Sequence, residues 1–253
     1  MSNIISLVNQ KGGVGKTTTA INLGASLAEL EKEVLLIDID PQGNLTQGVG
    51  FDTEKVDNTI YEVLTTDINL EEAIYQTEFN NLDIVPSTIK LANTEIELSG
   101  EIGRETILSE KIRQANLDYD YILLDCSPSL GLLTVNSLSA SNDLIIPIEP
   151  SYFSLEGLEQ LINIIKLIRK KINEDLSIKG VLMTRVDGRT NIAEEFEKDL
   201  KEVFGNKIFN TLIHQNVKIA EAQGEQVPIN HYSKKAKGSK EYMKLAKEVV
   251  TNG

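Results

Sequence analysis

Cysteine is almost missing from this chain, with Cys126 the only one in 253 residues. One thiol forms no internal disulfide and cannot supply the thiolates of an iron–sulfur cluster, which fits a reducing compartment. No stretch approaches the roughly 18 apolar residues of a spanning helix. Residues 1–3 lead into the first apolar run with neither a basic n-region nor an h-region, so the expectation is a cytoplasmic chain without a leader. Net positive charge is lacking too: the formal charge is −13, which argues against a generally basic protein that coats nucleic acid. Tryptophan is absent and proline occurs 6 times in an otherwise ordinary composition, 41% hydrophobic and 25% charged. That length suffices for one large α/β domain whose core needs no metal or disulfide.

Charge is unevenly spread. Asp52, Glu54, Asp57, Asp67, Glu71 and Glu72 crowd the first half, whereas Lys234, Lys235, Lys237, Lys240, Lys244 and Lys247 gather near the C-terminus. The asymmetry leaves room for a DNA contact on one side and a basic partner on another, against the plainer reading of solvated surfaces.

The chain is organised around Asn9-Gln10-Lys11-Gly12-Gly13-Val14-Gly15-Lys16-Thr17-Thr18-Thr19. It stands between the apolar run Ile4 to Val8 and a helical pattern through Ala20, Leu23, Leu27 and Leu30, where a strand hands over to a helix. Glycines let successive N–H groups curl inward above the positive end of the helix dipole, which makes a phosphate cradle. Lys16 is then placed for the β- and γ-phosphates and the Thr17 hydroxyl for Mg²⁺. The generic G-x-x-x-x-G-K-[ST] pattern is not fully met, because Gln10 takes its first glycine position and Lys11 adds a second lysine.

KGGVGKTT resembles the deviant Walker A loop of the ParA/MinD class of NTPases. LLIDIDPQGN and YDYILLDCSPSLGLLTVN follow it in the order of short, Soj-like ParA proteins, so the resemblance spans nearly the whole chain. It implies an Mg²⁺-dependent ATPase for chromosome or plasmid segregation. Such a protein forms an ATP-sandwich homodimer that binds double-stranded DNA non-specifically and is released by hydrolysis. In that class Lys11 reaches the nucleotide held by the partner subunit. The nucleotide contacts then run over Lys11, Gly12, Gly13, Val14, Gly15, Lys16, Thr17 and Thr18, with Lys11, Lys16 and Asp40 catalytic. The resemblance also implies a ParB-like centromere-binding partner and nucleoid association of the ATP-bound form.

Three acids follow apolar strands. Asp38 and Asp40 end the run Val34 to Asp38 and its continuation, where a parallel sheet presents its ligand. Asp40 resembles the family's switch residue, which places the attacking water, and Asp38 is assigned to the shell of Mg²⁺-bound water. Loop-capping aspartates before a Pro-Gln-Gly turn are the alternative. Asp125, ending Tyr119 to Leu124, suits a Walker B carboxylate holding Mg²⁺ with Thr17 and Asp38. Cys126 reads as a small buried apolar residue.

Thr184 and Arg185, after a strand at 179–184, fall where base or ribose contacts belong, and Asn216 joins them as a nucleotide contact. No complete N-K-x-D base-reading motif is present, which disfavours GTP. By resemblance Arg189 is a DNA contact. The segment His214 to Ala222 departs from the family pattern P-R-N-V-R-L-S-E-A and keeps a basic group only as Lys218, a point charge without the fork of arginine. His214 and His231 lack ligand partners at usable spacing and read as loop residues. Tyr152 and Phe153 read as packing residues.

The expected architecture is one doubly wound, mostly parallel sheet with helices on both faces, a P-loop NTPase domain over 1–253 without an N-terminal helix-turn-helix domain. Further expectations are helical spacing within 57–76 with a second short helix around 70–75, helices at 89–98 and 107–117, a strand at 207–213, and a last helix at 237–250 docked on the sheet. No membrane partner is expected. The competing readings are a MinD-like membrane-surface ATPase and a nucleotide-gated scaffold or regulator.

Overall fold

Runs of four to seven residues, mostly apolar, supply six strands and a two-residue edge strand, β3, the seventh; they assemble in the order β3-β4-β2-β5-β1-β6-β7. The computed structural model describes residues 2–151, 154–188 and 192–251. The strands are β1 (Asn3–Leu7), β2 (Val34–Ile39), β3 (Tyr75–Gln76), β4 (Leu82–Val85), β5 (Tyr121–Cys126), β6 (Asp143–Ile148) and β7 (Ser177–Met183). All pairings are parallel except that of the edge strand β3 with β4. All six residues of β2 and of β5 are buried, as strands covered on both faces require.

Alternation along the strands sorts the core. Ile5, Leu7, Leu36 and Leu123 face a layer made of α1 (Lys16–Glu29), α2 (Asn44–Gly48) and the C-terminal helices. Leu35, Ile37, Ile122 and Leu124 face α3 (Ile60–Thr65), the short α4 (Thr94–Glu97) region, α5 (Ile107–Gln114) and α6 (Leu132–Ala140). Leu144, Ile146, Val181 and Met183 meet α7 (Ser154–Lys171) and α8 (Ile192–Phe204) on that second face. The expected doubly wound architecture is what forms.

The C-terminal helices are α9 (Val217–Gly224), α10 (Ile229–Tyr232) and α11 (Lys237–Thr251). The apolar stripe of α11, Tyr242, Leu245, Ala246 and Val249, is fully covered, in the same core cluster as Ala20, Leu23 and Leu27 of α1. Lys240, Lys244 and Lys247 remain on its exposed side. The expected docking of the last helix therefore holds.

Three expectations are corrected. The segment 70–75 forms a 3₁₀ turn, Leu70–Ala73, and then the edge strand β3, in place of a second helix. Residues 89–98 break into 3₁₀, α and 3₁₀ pieces, because only Leu91, Thr94 and Leu98 are buried while Ile89 and Ile96 stay 68% and 76% exposed. That stripe is too narrow to hold a regular helix against the core. Residues 207–213 form no strand: they meet β7 at the isolated bridge of Val181 to Ile208 and through the Ile213 amide on the Met183 carbonyl (3.0 Å), and a second bridge joins Val186 to His214 just beyond. Between them, the Glu248 carboxylate takes the amides of Asn210 (2.7 Å) and Thr211 (3.1 Å) and draws the segment toward α11.

Because α11 supplies so much of one layer, Leu245→Ala should cost about 2–5 kcal/mol of unfolding free energy in a urea titration. A loss under about 1 kcal/mol, as at an exposed site, would contradict the docking of α11.

Candidate functional site

The phosphate cradle is assembled from both of its flanks. Asn9 spans them: its side-chain amide donates to the Pro147 carbonyl (2.7 Å), and its Oδ1 accepts the Lys11 amide (2.9 Å). Gly13 and Gly15 adopt φ of +76° and +87°, values that side chains resist, and a Cβ on Gly12 or Gly13 would meet nothing within 4 Å. The loop thus keeps open space over its backbone. Helix α1 starts on Gly15 with no side-chain cap and no acid in its first turn, so its leading amides are free of internal competition. The Thr184 hydroxyl donates to the Val14 carbonyl (2.7 Å), pinning the loop to the end of β7.

Lys16 is 7% exposed, and burial lowers its pKa against the opposing pull of Asp125, Cys126 and Asp40. Its ammonium lies 3.4 Å from the Lys11 carbonyl. The Lys11 ammonium instead donates to Ser151 Oγ at 3.1 Å, after β6.

Three aspartates stand opposite. Asp38 and Asp125 occupy paired positions on β2 and β5, both wholly buried. Burial pushes the Asp38 carboxyl up to about 6, although Oδ2 accepts the Thr46 amide (2.9 Å) and hydroxyl (2.7 Å) and Oδ1 accepts the Asp40 amide (3.1 Å). The Asp125 carboxyl is raised well above its ordinary value by burial and by the Asp38 charge, with the nearby Thr17 hydroxyl and Lys16 offsetting part of it. Neither Asp125 oxygen completes a hydrogen bond among the described residues. Asp40 is 8% exposed and accepts the Gln42 amide (3.0 Å). Two orphaned buried acceptors beside a threonine hydroxyl suit a hydrated divalent cation. No cluster of three His, Cys, Asp or Glu capable of chelation occurs among the described residues. Phosphate oxygens and water would therefore complete the shell, the usual habit of Mg²⁺. Burial raises the Cys126 thiol to about 11, which leaves it inert at neutral pH, as a packing residue should be.

A cavity of about 1150 Å³ opens beside the loop. Its walls gather Gly12, Gly13, Gly15, Lys16, Thr17, Thr18, Asp40, Thr184, Arg185 and Asn216. The Val14 side chain is buried away from that wall, and its carbonyl accepts the Thr184 hydroxyl. Lys11 stands apart from that wall. Arg185 sits at φ +51° with its Nε on Glu149 (3.2 Å), and Asn216 caps α9 by accepting the Lys218 amide (2.9 Å). Lys218 is exposed, 2.6 Å from Glu221 and 5.6 Å from the Tyr232 ring centroid. Arg189, Tyr152 and Phe153 lie outside the described residues. His214 bonds Glu241 (2.7 Å) as a loop residue.

Three contacts had no local signal in the sequence: Thr46 on Asp38, Ser151 on Lys11, and Gln223, whose amide donates to the Thr18 hydroxyl at 2.6 Å.

A family model described as an AAA domain matches residues 2–178. The chain is 47% identical over 253 residues to the sporulation initiation inhibitor protein Soj of Bacillus subtilis strain 168, covering 100% of both chains. It is 42% identical over 250 residues to the chromosome partitioning protein ParA of Myxococcus xanthus, covering 99% of this chain and 88% of that one. The chain belongs to the ParA/MinD family. Among solved structures of similar fold is the septum site-determining protein MinD of Pyrococcus horikoshii complexed with Mg-ADP, 29% identical at a TM-score of 0.81 over 98% of this chain and 96% of that one. Another is cobyrinic acid a,c-diamide synthase of Mycobacterium smegmatis with a bound ATP analog and magnesium. It is 32% identical at a TM-score of 0.87, over 98% and 93%.

For this ParA/MinD family member a charged Asp125 carboxylate is a buried cost that a bound cation would offset. Asp125→Asn should keep the nucleotide-free melting temperature at or above that of the wild type and lose the stabilisation given by Mg-ADP, about 2.7 kcal/mol at a hundred-fold excess over Kd. An unchanged Mg-ADP shift in calorimetry would remove Asp125 from the metal site.

Proposed function

We propose that this chain is a chromosome- or plasmid-partitioning ATPase whose nucleotide site is completed by a second copy. One observation carries the reading: the deviant loop, with Lys16 buried behind it and Lys11 turned away, faces the paired acids Asp38 and Asp125. The relative named for chromosome partitioning, matched over 99% of this chain and 88% of its own length, and the Mg-nucleotides named in the structural neighbours support it.

ATP fits with its phosphates on the amides of Gly12 to Thr18 and its base end toward Thr184, Arg185 and Asn216. Thr17, Asp38 and Asp125 would hold Mg²⁺ and its water there, and the ion would offset phosphate charge. Lys16 lies against the β- and γ-phosphates, and their charge restores an ammonium that burial weakens. Asp40, at the cavity wall, orients the attacking water. Lys11 must leave Ser151 to reach the nucleotide of the other subunit, so closure of the dimer and assembly of the site are one event. Catalysis is then mainly positioning and electrostatics.

The ATP dimer binds duplex DNA without sequence preference through Lys218 and Arg189, with Lys240, Lys244 and Lys247 as a neighbouring basic row. A ParB-like partner with a basic tail suits the acidic chain. The protein would work in the cytoplasm and gather on the nucleoid when ATP-bound. The MinD-like alternative needs an apolar helix face free for lipid, and the stripe of α11 is already covered by the core. No described helix is long and apolar enough to cross a membrane.

Asp40→Ala should still bind ATP and dimerise while turnover falls roughly 10²-fold or more, as loss of a positioned catalytic group does. Wild-type phosphate release would refute the water-placing role. Lys218→Ala should weaken duplex binding for all sequences alike and flatten the salt slope by about one per contact removed. An unchanged slope in a fluorescence anisotropy series would move the DNA face elsewhere.

A further inference from the structure

Asp40 does not stand by itself at the end of β2. Its amide is held by Asp38 Oδ1 (3.1 Å), while Asp38 Oδ2 receives both the amide (2.9 Å) and the hydroxyl (2.7 Å) of Thr46. The Thr46 hydroxyl oxygen in turn accepts the Ser87 amide at 3.0 Å. One hydroxyl thereby uses its proton on a buried carboxylate and its lone pair on a loop after β4, so it has no rotational freedom left. Thr46, Asp38 and Ser87 are at most 3% exposed, and water cannot substitute for any member of the chain. Among the described residues the Ser87 hydroxyl has no partner, so this side chain gives the loop no second tie there. The two loops also touch directly: a Cβ on Gly43, at φ +63° before α2, would lie 3.2 Å from the Ser87 carbonyl oxygen.

We propose that Thr46 is a positioning residue for phosphoryl transfer, locking the Asp38 carboxylate and through it the backbone that carries Asp40. The proposal rests on the ATPase reading above. Three donors hold the Asp38 charge in a site that burial makes hostile to it. Without the hydroxyl, Asp38 keeps two donors and the Ser87 amide is left buried without an acceptor. The strand end then relaxes, and with it the position of Asp40. The phosphate cradle is tied down separately, through Asn9 to Pro147 and Thr184 to Val14. Loss of Thr46 therefore acts on turnover and spares nucleotide affinity, a split that general destabilisation does not produce.

The test is steady-state ATP hydrolysis alongside equilibrium binding of a fluorescent ATP analogue for Thr46→Val, Thr46→Ser and Asp40→Ala in the full chain. Thr46→Val should lose kcat by roughly ten- to a hundred-fold, as sub-ångström to 1 Å misplacement does, with nucleotide Kd unchanged. Thr46→Ser should recover most of the rate. Thr46→Cys, with a weak S–H donor of similar size, carries the same expectation where the valine variant does not fold. Wild-type kcat in Thr46→Val beside an inactive Asp40→Ala overturns this proposal alone. Parallel loss of kcat and affinity, or no recovery with serine, also overturns it. Wild-type kcat in Asp40→Ala overturns the water-placing role itself and the proposal with it.

Discussion

Burying a carboxylate costs several kcal/mol unless donors or a cation offset it, and this sheet ends with two of them side by side on β2 and β5. The rest of the site is arranged around that charge. Asp38 is relieved by Thr46 and the Asp40 amide, whereas the oxygens of Asp125 complete no hydrogen bond among the described residues. Lys16, buried on the facing helix, has the opposite problem: the same exclusion of water lowers its pKa. A loop of glycines with open backbone lies between them. On the proposed reading, Mg²⁺ and a nucleoside triphosphate would supply the complementary charges that both buried groups lack. Residues held this way are kept for function at the expense of stability.

The surrounding structure holds these charges in place. Asn9 and Thr184 tie the loop to the ends of β6 and β7, and Gln223 reaches from α9 to Thr18. Helix α9 thereby lines the cavity with one side and carries the exposed Lys218. A contact of this kind gives nucleotide occupancy a short physical route to the candidate DNA face. The route is a packed helix and one hydrogen bond, and its strength is a coupling free energy to be measured.

Local chemistry was the legible part of the sequence. A glycine loop between a strand and a helix, and acids closing apolar strands at 34–38 and 119–124, each declare themselves within a dozen residues. The sheet and its winding followed from the same runs. What stayed hidden depends on partners distant in the chain. Residues 207–213 carry a strand-like pattern, yet Glu248 takes two of their amides and the sheet edge is interrupted. Ile89 and Ile96 read as a helix face and turn out exposed. Thr46 is an ordinary helix residue until the fold sets it between Asp38 and Ser87. Lys11 shows both sides of the matter: its place in the motif marks it, but only the structure shows its ammonium on Ser151 of its own chain.

That position makes the account's central claim open to direct test. In this structure Lys11 is engaged in its own subunit, and on the proposed reading the site is finished when it exchanges Ser151 for the nucleotide of a second copy. Sedimentation velocity with ATP and Mg²⁺ in an Asp40→Ala background, where hydrolysis does not erode the complex, measures that exchange. The account predicts a dimer that disappears when Lys11→Ala is added, with ATP still bound by the monomer. A dimer of equal stability with and without Lys11 would contradict it.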